Sequence, residues 1–526
     1  MLIIDKLTLI NSGGDTAVAR SKTPSFILKL SLVVDSQADA ELLSRFQAGR
    51  QLYNACLNEA MKRMEELRGS GQYQVAKRLP KKLKQRSEAF GNARKQYRYS
   101  DYDLQAFATL TANRSVWIAE KIDSNSVQTL ATRAFKASER VLFGRAKKVR
   151  YKDPNRFNSI EGMGNTHPLR WVNNRLIWGK GFELEPIIDW DNPVHLHGLA
   201  SSVKYCRILK RELNGKRRWF VQLVLEGIPF QKDKNKVAGG LIGLDLNISN
   251  VAFVGDAKAE LLPFAENVPT FERQIKTLQR QMHRCQRIAN PDNYEPDFQA
   301  CRGHKTIKKK GKVKKGSRKW NKSKAYLITA QKKRELERRK AAYAKSQNLK
   351  LANEILRHGK DIKTENVSVK GWQKRYGKAI SAKSPGFFQL ELKRKAESAG
   401  GSFTKFSTQT TALSQTHLNG ERTKKSLSER VHYDQTGIVM HRDLFSAYLS
   451  RFVTDNMLDM QVARDSYDGS ESILAAAWRA DQSSKQVGAS ESPQSQSPAE
   501  RMAAKLGKFS QIAVPTGSGR KAVPNS

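Results

Sequence analysis

The chain has little cysteine and no long apolar run, and each absence excludes a class of protein. Cysteine occurs only at Cys56, Cys206, Cys285 and Cys301. A disulfide framework or a thiolate zinc site would need closely spaced pairs, so we expect reduced, partly buried thiols. No apolar stretch reaches the length of about 18 residues that a membrane span requires. The N-terminal residues lack the basic and then apolar layout of a signal peptide, which predicts a cytoplasmic protein.

Acidic residues are scarce relative to basic ones. The sequence has 94 Lys and Arg against 50 Asp and Glu, a formal net charge of +44, and a pI near 10.1. A protein this basic is expected to bind a polyanion, and nucleic acid is the commonest one. A membrane surface is the alternative, but neither a lipid anchor nor a clear amphipathic membrane helix accompanies the basic stretches. Nucleic acid is therefore the favoured partner, and no membrane is expected.

The first half of the chain shows a helical pattern between two β-type patterns. Residues 24–34 are apolar and β-branched, which is typical of a strand. An apolar stripe with helical spacing runs from Tyr53 to Leu67 and predicts a core-facing helix, within a helical region that reaches about residue 150. Short strand-like segments follow, and the Asn214-Gly215 pair between two alternating runs predicts a β-hairpin.

From residue 239 onward the pattern changes to strands separated by long helices. Residues 302–324 interrupt the helical pattern with twelve Lys or Arg among 23 positions. This basic run is either a solvated, mobile loop or an insertion that contacts phosphates. Residues 483–526 are rich in Ser, Gln, Gly, Ala and Pro, so we expect a disordered tail with at most a short helix at 499–506.

Three carboxylates stand at positions where an acid is informative. Asp245 lies inside an apolar strand, between Leu244 and Leu246, where a carboxyl group is costly unless it is paired or binds a metal. Glu365 ends a second short β-type segment. Asp443 opens an amphipathic helix and is predicted there as an ordinary N-cap. Taken singly, each residue has a plain structural explanation as a strand-end or capping acid.

Taken together, the three carboxylates fit a two-metal nuclease. Such enzymes need acidic oxygens that converge on a pair of Mg²⁺ ions. An RNase H-like sheet supplies these oxygens from a first strand, a later strand and a late helix, which is the order found here. We therefore predict that Asp245, Glu365 and Asp443 are catalytic metal ligands and that two Mg²⁺ ions are the cofactors.

Around these residues the sequence resembles the TnpB (OrfB) proteins of insertion sequences, which are relatives of type V CRISPR effectors. The segment GLIGLDLNISNVAF, with Asp245, is similar to the family's first RuvC motif. IKTENVSV, with Glu365, is similar to the second, and HRDLFSAYLSRF, with Asp443, is similar to the third. The likeness is strongest over residues 239–452 and looser over residues 24–235.

The resemblance implies a multidomain α+β protein with the activity of an RNA-guided, Mg²⁺-dependent DNA endonuclease of transposon origin. A helical recognition domain with a wedge-like β-barrel would precede an RNase H-like (RuvC) α/β nuclease domain that carries a degenerate zinc-ribbon insertion. The partners would be a guide RNA and double-stranded target DNA, cut next to a short flanking motif, in the cytoplasm or nucleoid of a prokaryote.

The domain boundaries expected from this resemblance follow the changes in pattern. They are 1–35 for the first strand of the wedge-like domain, 36–150 for the recognition domain, 151–238 for the rest of the wedge-like domain, 239–482 for the nuclease domain with its insertion at 403–438, and 483–526 for the tail.

The insertion departs from the family pattern because its cysteine positions hold other residues. They correspond to Thr416, Asn419, Asp434 and Thr436. No thiolate remains, which excludes a Cys₄ zinc site. His417, His432 and Asp434 are a weaker metal alternative; we expect instead a metal-free remnant held by hydrogen bonds and packing, or a ribbon too degraded to order its loop. Structural zinc is thus expected to be absent.

The third motif also departs from the common form. Asp443 is followed by Leu-Phe-Ser-Ala, where the family more often has a variable residue and then Asn-Ala-Ala. The metal-binding Asp is retained, so we do not interpret the change as inactivation.

Two groups of residues are candidates for contact with nucleic acid. The first lies in the basic run and comprises Lys308, Lys309, Lys310, Lys314, Lys315, Arg318 and Trp320. The second follows Glu365 and comprises Trp372, Lys374, Arg375 and Tyr376. Both are placed by this interpretation near the catalytic centre. Trp320 either stacks on a base, as aromatic side chains do in single-strand binding proteins, or anchors the loop.

Two other functions remain open on the sequence. A nuclease-inactive, RNA-guided DNA-binding protein, acting as a repressor or recruiter, is the main alternative; the intact acidic triplet argues against it and the lost cysteines argue for it. A strand transferase acting directly in transposition is weaker, because neither a Tyr–HUH pair nor a serine-recombinase motif is present.

Overall fold

The computed structural model of the chain describes residues 23–490, except residues 180, 266–267, 303–304, 317–318 and 427–428. Arg318, the predicted short helix at 499–506 and most of the predicted tail therefore lie outside the described residues. The fold is mixed α and β, and the chain divides into two compact units, one up to Lys232 and one from Asp233 onward. No helix within the described ranges is long and apolar enough to cross a membrane.

The first unit combines a group of helices with an antiparallel sheet. Its helices are α1 (Ser36–Gly69), α2 (Gly71–Arg78), α3 (Lys84–Gln96), α4 (Asp101–Asn113), α5 (Val116–Lys121), α6 (Ser124–Leu142) and α7 (Pro193–Leu199). Asp35 caps α1 by accepting a hydrogen bond from the Ala38 amide at 2.7 Å. The predicted apolar stripe lies on α1, where Tyr53, Leu57 and Leu67 are almost fully buried.

The strands of the first unit begin with the predicted N-terminal strand. They are β1 (Ser25–Leu32), β2 (Ser159–Glu161), β3 (Leu169–Val172), β4 (Arg175–Trp178), β5 (Glu183–Leu184), β6 (Pro186–Ile187), β7 (Val203–Leu213) and β8 (Lys216–Glu226). The larger sheet has the order β2-β7-β8-β1-β6 and the smaller one β3-β4-β5. Asn214 and Gly215, with φ of 50° and 75°, form the predicted hairpin turn, because a tight two-residue turn requires positive φ.

The second unit alternates strands with long helices. Its elements up to the insertion are β9 (Leu241–Leu246), β10 (Asn250–Val254), β11 (Ala259–Pro263), α8 (Val268–Ile288), β12 (Phe298–Arg302), β13 (Lys305–Lys309), α9 (Lys324–Leu356), β14 (Asp361–Glu365), α10 (Val369–Lys383), α11 (Pro385–Ser398) and β15 (Phe403–Phe406). Then follow α12 (Thr408–Thr411), β16 (Val431–Tyr433), β17 (Val439–His441), α13 (Arg442–Ser450), β18 (Val453–Thr454), β19 (Met457–Leu458), α14 (Met460–Asp465) and α15 (Tyr467–Ser490).

A five-stranded sheet of order β11-β10-β9-β14-β15 organises the second unit. β9, β10 and β11 are antiparallel, whereas β14 runs parallel to both β9 and β15. Because side chains alternate along a strand, the sheet presents two faces. One packs Ile242, Leu244 and Phe253 against α9 and α11, and the other packs Ala252 and Val254 against α13 and α15.

Two predicted boundaries need correction. Residues 403–406, assigned above to the insertion, form β15 and pair in parallel with β14, because Phe403 and Phe406 each contact a core on one side of the sheet. The predicted start of the tail at residue 483 is also too early. Helix α15 continues to Ser490, anchored by the buried Leu474 and Ala477 on its inner face.

Candidate functional site

Strand register places two of the predicted carboxylates side by side. In the parallel pair β9–β14, Thr364 lies opposite Leu244, so the next positions, Glu365 and Asp245, are neighbours on the other face of the sheet. Adjacent strands are about 4.8 Å apart. The two acids are therefore close together on the face that α13 covers.

A glycine allows α13 to lie directly on this face. Gly243 is two residues before Asp245, and a Cβ at Gly243 would come within 1.9 Å of the Ala447 carbonyl oxygen. The end of α13 is held there as well, because Lys363 Nζ donates to the Arg451 carbonyl oxygen at 3.0 Å. This close packing brings the start of α13 toward the two acids.

Asp443 is the second residue of α13 and is 2% exposed. The N-cap is His441, whose Nδ1 accepts from the Asp443 amide at 3.3 Å. The prediction that Asp443 itself is the cap is therefore wrong; an acid in the first helical turn is instead stabilised by the helix dipole. The carboxylate meets two arginines: Arg430 Nη1 lies 3.4 Å from its Oδ2, and Arg442 Nε lies 3.7 Å from its Oδ1.

Asp245 is close enough to the other two carboxyl groups for their charges to act on it. Burial raises the pKa of Asp245 well above its usual value, and the nearby charges of Asp443 and Glu365 raise it further. Asp245 keeps some solvent access, but its carboxyl group lies deep enough for this effect to dominate. Burial raises the pKa of Glu365 to about 6, although the Leu413 amide donates to its carboxylate and opposes the rise. The structure thus brings the predicted acidic triplet together.

The donor set fits a divalent cation. Three converging carboxylates offer the hard oxygen ligands that Mg²⁺ prefers, and the raised pKa values of Asp245 and Glu365 indicate negative charge that the surrounding protein does not balance. Asn247 lies close enough to Asp245 to oppose the rise in its pKa, yet its buried Nδ2 has no hydrogen bond of ordinary geometry among the described residues. A hydrated metal ion at this position would supply both the missing charge and polar partners.

Sequence reasoning missed Arg430, Arg442 and the side-chain amide of Asn247, which surround the triplet. Arg442 precedes Asp443 directly, so its place in the third motif was a usable signal. Arg430 lies 13 residues before Asp443, and it is placed by the hydrogen bond from the Arg442 amide to its carbonyl oxygen at 2.8 Å. Nothing in the local pattern of residue types predicts that contact.

A second polar cluster, formed by His417, His432 and Asp434, holds the hairpin β16–β17 in the insertion. One potential ligand atom from each residue lies within 4.8 Å of the others. Asp434 Oδ2 accepts from His432 Nε2 at 2.9 Å and from the Leu418 amide at 3.0 Å. Its Oδ1 accepts from the Thr436 amide and hydroxyl at 3.0 and 2.8 Å.

Hydrogen bonds in this cluster also reach the ring nitrogens that do not face Asp434. Lys425 Nζ lies 2.5 Å from His432 Nδ1, so that nitrogen accepts and Nε2 carries the proton that faces Asp434. The Gln435 amide donates to His417 Nδ1 at 3.2 Å. A metal-ligating histidine normally donates its second ring nitrogen to an acceptor. His432 Nδ1 accepts instead, whereas His417 Nε2 is buried without a hydrogen-bond partner among the described residues. His417, His432 and Asp434 are arranged as a hydrogen-bonded cluster.

Electrostatics agree with a charged aspartate inside this cluster. Burial alone would raise the pKa of Asp434, but hydrogen bonds from His432, Thr436 and Leu418 outweigh burial and hold the pKa far below its usual value. Burial lowers the pKa of His432, which keeps its ring neutral. The His432 ring also stacks on the Phe445 ring of α13, with ring centroids 4.1 Å apart. The cluster thus fixes the hairpin β16–β17, which bears Arg430 and His441 at its ends, against the helix that carries Asp443.

The predicted nucleic-acid residues lie in two places. Lys308, Lys309, Lys310, Lys314 and Lys315 are exposed on and after the hairpin β12–β13. This hairpin lies just before the start of α9, whereas Ala352, Ile355 and Leu356 near the end of α9 pack on the sheet, and a helix of 33 residues is about 50 Å long. The basic run therefore adjoins the end of α9 that lies away from this sheet. The run is not a plain loop, because it includes β13 and ends in a packed segment at Trp320.

The aromatic residues of these groups differ in exposure. Trp320 packs edge-on against Tyr294, with ring centroids 5.9 Å apart, and Trp372 packs partly buried against the core beneath the sheet. Tyr376 is 43% exposed and lies at a kink within α10, flanked by the exposed Lys374 and Arg375. Of the three, Tyr376 is the aromatic ring most open to a stacking partner.

Comparison with known proteins gives a distant structural likeness. No model of a known protein family and no curated protein sequence matches the chain. The fold is similar to a chain in the cryo-EM structure of the Cas12f1-sgRNA-target DNA complex, with a TM-score of 0.39, 11% identity, and coverage of 81% of this chain and 98% of that one. It is also similar to a chain of the CRISPR-Cas12f ternary complex, with a TM-score of 0.28, 11% identity, and coverage of 79% and 82%.

Proposed function

We propose that the protein is an RNA-guided DNA endonuclease that depends on Mg²⁺ and cleaves double-stranded DNA next to a short flanking motif. The observation that carries the proposal is the convergence of Asp245, Glu365 and Asp443 from β9, β14 and α13. Three carboxyl groups held together in a buried site are costly for the fold. Perturbed acids grouped in this way are characteristic of functional sites.

Asp245, Glu365 and Asp443 would hold the metal, and two bound Mg²⁺ ions would activate a water molecule and stabilise the leaving oxygen of a phosphodiester. The protein's own contribution is positional. The sheet register fixes the two strand acids, and His441 caps the helix that carries Asp443. These residues resemble the three RuvC motifs of the TnpB family, which adds an independent reason for this assignment.

The nucleic-acid partners are supported by charge. A net charge of +44 suits a protein that binds a guide RNA and a heteroduplex at the same time. Lys374, Arg375 and Tyr376 follow the strand that ends in Glu365, so they are candidates for contact with the strand being cleaved. In such a system, base pairing selects the target, while the protein contacts the phosphates and the flanking motif.

A nuclease-inactive, RNA-guided DNA-binding protein is the second candidate. The insertion that resembles a zinc ribbon but lacks its cysteines argues in its favour, because a changed insertion next to Asp443 can change how the target strand is loaded. Both candidates share guide RNA and DNA as partners. They differ in whether the acidic triplet hydrolyses DNA.

Cleavage by the protein co-purified with its RNA separates the two candidates. With Mg²⁺ and a plasmid library that carries a guide-matched target beside randomised flanks, we expect cleavage of plasmids with one flanking motif. Asp245→Ala should abolish cleavage but keep binding, whereas the control Asp465→Asn, an exposed acid on α14, should cut normally. Binding without cleavage by the unmutated protein would establish the second candidate, and undiminished cleavage by Asp245→Ala would refute the site.

A further inference from the structure

The hairpin β12–β13, called the arm below, projects from one end of the helical pair α8–α9. Near the start of α8, the Phe271 ring centroid lies 5.7 Å from that of Tyr343, in the second half of α9. The two helices are therefore antiparallel. The connection between them begins at Asn290, whose Oδ1 accepts from the Asn321 amide at 2.7 Å. These contacts close the pair at the end where the hairpin emerges.

Charged and aromatic contacts fix the base of the hairpin. The Arg287 guanidinium lies 4.2 Å from the Tyr294 ring centroid and donates to the Gly311 carbonyl oxygen at 2.6 Å. Asp297 accepts from Lys310 Nζ at 2.7 Å and from the Gly311 amide at 3.0 Å. Gly311 is required by this packing, because a Cβ there would come within 1.8 Å of the Glu295 carbonyl oxygen.

Beyond its base, the hairpin is exposed on both faces. Phe298 is 48% and Ile307 is 38% exposed, and the register of Phe298 with Lys309 and of Ala300 with Ile307 places both apolar side chains on one face. Gln299 and Lys308 are paired on the other face and are also exposed. A two-stranded ribbon without a covering layer is at best marginally stable in water, so a partner that covers it would stabilise it.

The charge of the arm indicates the kind of partner. From residue 298 to residue 324 the sequence contains no Asp or Glu. Within the part of the chain that the structure describes, neither Lys308 nor Lys309 has a carboxylate within ion-pair distance. The arm is thus a polycation with a small apolar patch, which complements a polyanion with apolar groups between its phosphates.

We propose that the hairpin β12–β13 is a DNA-binding ribbon that enters the major groove of double-stranded DNA. The major groove of B-form DNA is wide enough for a two-stranded ribbon and presents thymine methyl groups, to which Phe298 and Ile307 are suited. Lys308 and Lys309 contact the flanking phosphates. The major groove of A-form RNA is too deep and narrow for side chains to contact its bases, so double-stranded RNA is not the partner.

This inference is independent of cleavage, because the arm adjoins the start of α9, whereas the end of α9 packs on the sheet that carries Asp245 and Glu365. The test therefore uses the full chain in EDTA and measures binding alone. Fluorescence anisotropy with a labelled DNA duplex, an RNA duplex of the same sequence and single-stranded DNA gives the affinity of each at several salt concentrations. If the arm does not bind DNA, its variants will bind the duplex as the wild type does. If the proposed nuclease function is wrong, only the cleavage experiment will show it.

For Lys308→Gln/Lys309→Gln we expect weaker binding to the DNA duplex. The slope of log K against log [salt] should also become shallower by about 1.8, because each phosphate that the variant no longer neutralises contributes about 0.9. Ile307→Ser should weaken binding to the same duplex without changing that slope. The matched control Lys81→Gln/Lys82→Gln removes two exposed lysines of the other unit. All variants change exposed side chains, and circular dichroism verifies that they fold.

Three results would overturn the proposal. One is an unchanged slope on the DNA duplex for the ribbon variant. Another is an equal loss on the RNA duplex or on single-stranded DNA, which would show a general electrostatic effect. The third is an equal loss for the control pair, which would show that the position of the lysines on the ribbon is irrelevant.

Discussion

Glu365→Gln should make the metal-free protein more stable while it removes a metal ligand. In the folded chain, burial raises the Glu365 pKa from 4.5 to about 6. At about 1.36 kcal/mol for each pKa unit, this shift corresponds to about 2 kcal/mol of destabilisation when the group is ionised. Because Glu365 retains partial solvent access, we expect the uncharged variant to gain about 1–2 kcal/mol. The amide oxygen of the introduced glutamine still accepts from the Leu413 amide, so that hydrogen bond remains.

The pH dependence of this gain follows from the direction of the shift. Below the unfolded pKa of 4.5 the wild-type group is protonated in both states, and the variant has no advantage. The wild-type free energy of unfolding then falls, relative to the variant, as pH rises from 4.5 to about 6, because the unfolded chain releases its proton first. Above that window the advantage is constant.

The assay is hydrogen exchange of β9 and β14 amides in EDTA, at pH 4 and pH 8, supported by thermal unfolding. At pH 8 we expect slower exchange of these strands in Glu365→Gln, and at pH 4 equal exchange after correction for intrinsic rates. Added Mg²⁺ should reverse the ranking, because a ligand that binds only the folded wild type stabilises it. Destabilisation of the variant at pH 8, or a gain that persists at pH 4, would refute the electrostatic reasoning.

Two further changes test the surroundings of Asp443. Asp434→Asn should destabilise the second unit by about 2–3 kcal/mol, because an amide cannot accept the four hydrogen bonds that the buried carboxylate accepts. Denaturant unfolding measures this loss, with the exposed Glu421→Gln as the control. Metal analysis of the wild type should find no stoichiometric zinc. Arg430→Ala should tighten Mg²⁺ binding about 2–5-fold by removing a cation from the Asp443 carboxylate, with less than about 1 kcal/mol change in stability because the arginine is exposed. Calorimetric titration against the control Arg422→Ala measures this, and weaker or unchanged Mg²⁺ binding would contradict it.

Local sequence patterns predicted those parts of the fold that local physics determines. The apolar stripe between Tyr53 and Leu67 specified a buried helix face, and Asn214-Gly215 specified a hairpin turn. The approach of Asp245 and Glu365 was also predictable, because it follows from the order of their strands. The contact with Asp443 required only that a late helix lie over that sheet face.

Other features depend on contacts between residues that are distant in sequence, and no periodicity reveals them. The hairpin β12–β13 is hidden because a lysine-rich, glycine-containing run is equally typical of a loop; its structure depends on Arg287 and Asp297 at its base. The N-cap of α13 was misplaced by two residues, since Asp443 is a better capping residue by type than His441. Only the tertiary position of His441, at the end of β17, decides which of them caps the helix.

The hairpin β16–β17 supports the position of Asp443 through hydrogen bonds and packing. Asp443 needs a fixed environment, because a buried carboxylate that moves loses the partners that stabilise its charge. Here the hairpin β16–β17 provides that environment through Arg430 and His441. Asp434 accepts four hydrogen bonds at the centre of the cluster, and stacking of His432 on Phe445 links the hairpin to α13. On this reasoning the hairpin supports Asp443 without any thiolate, and that is why we propose an active nuclease rather than a binding protein.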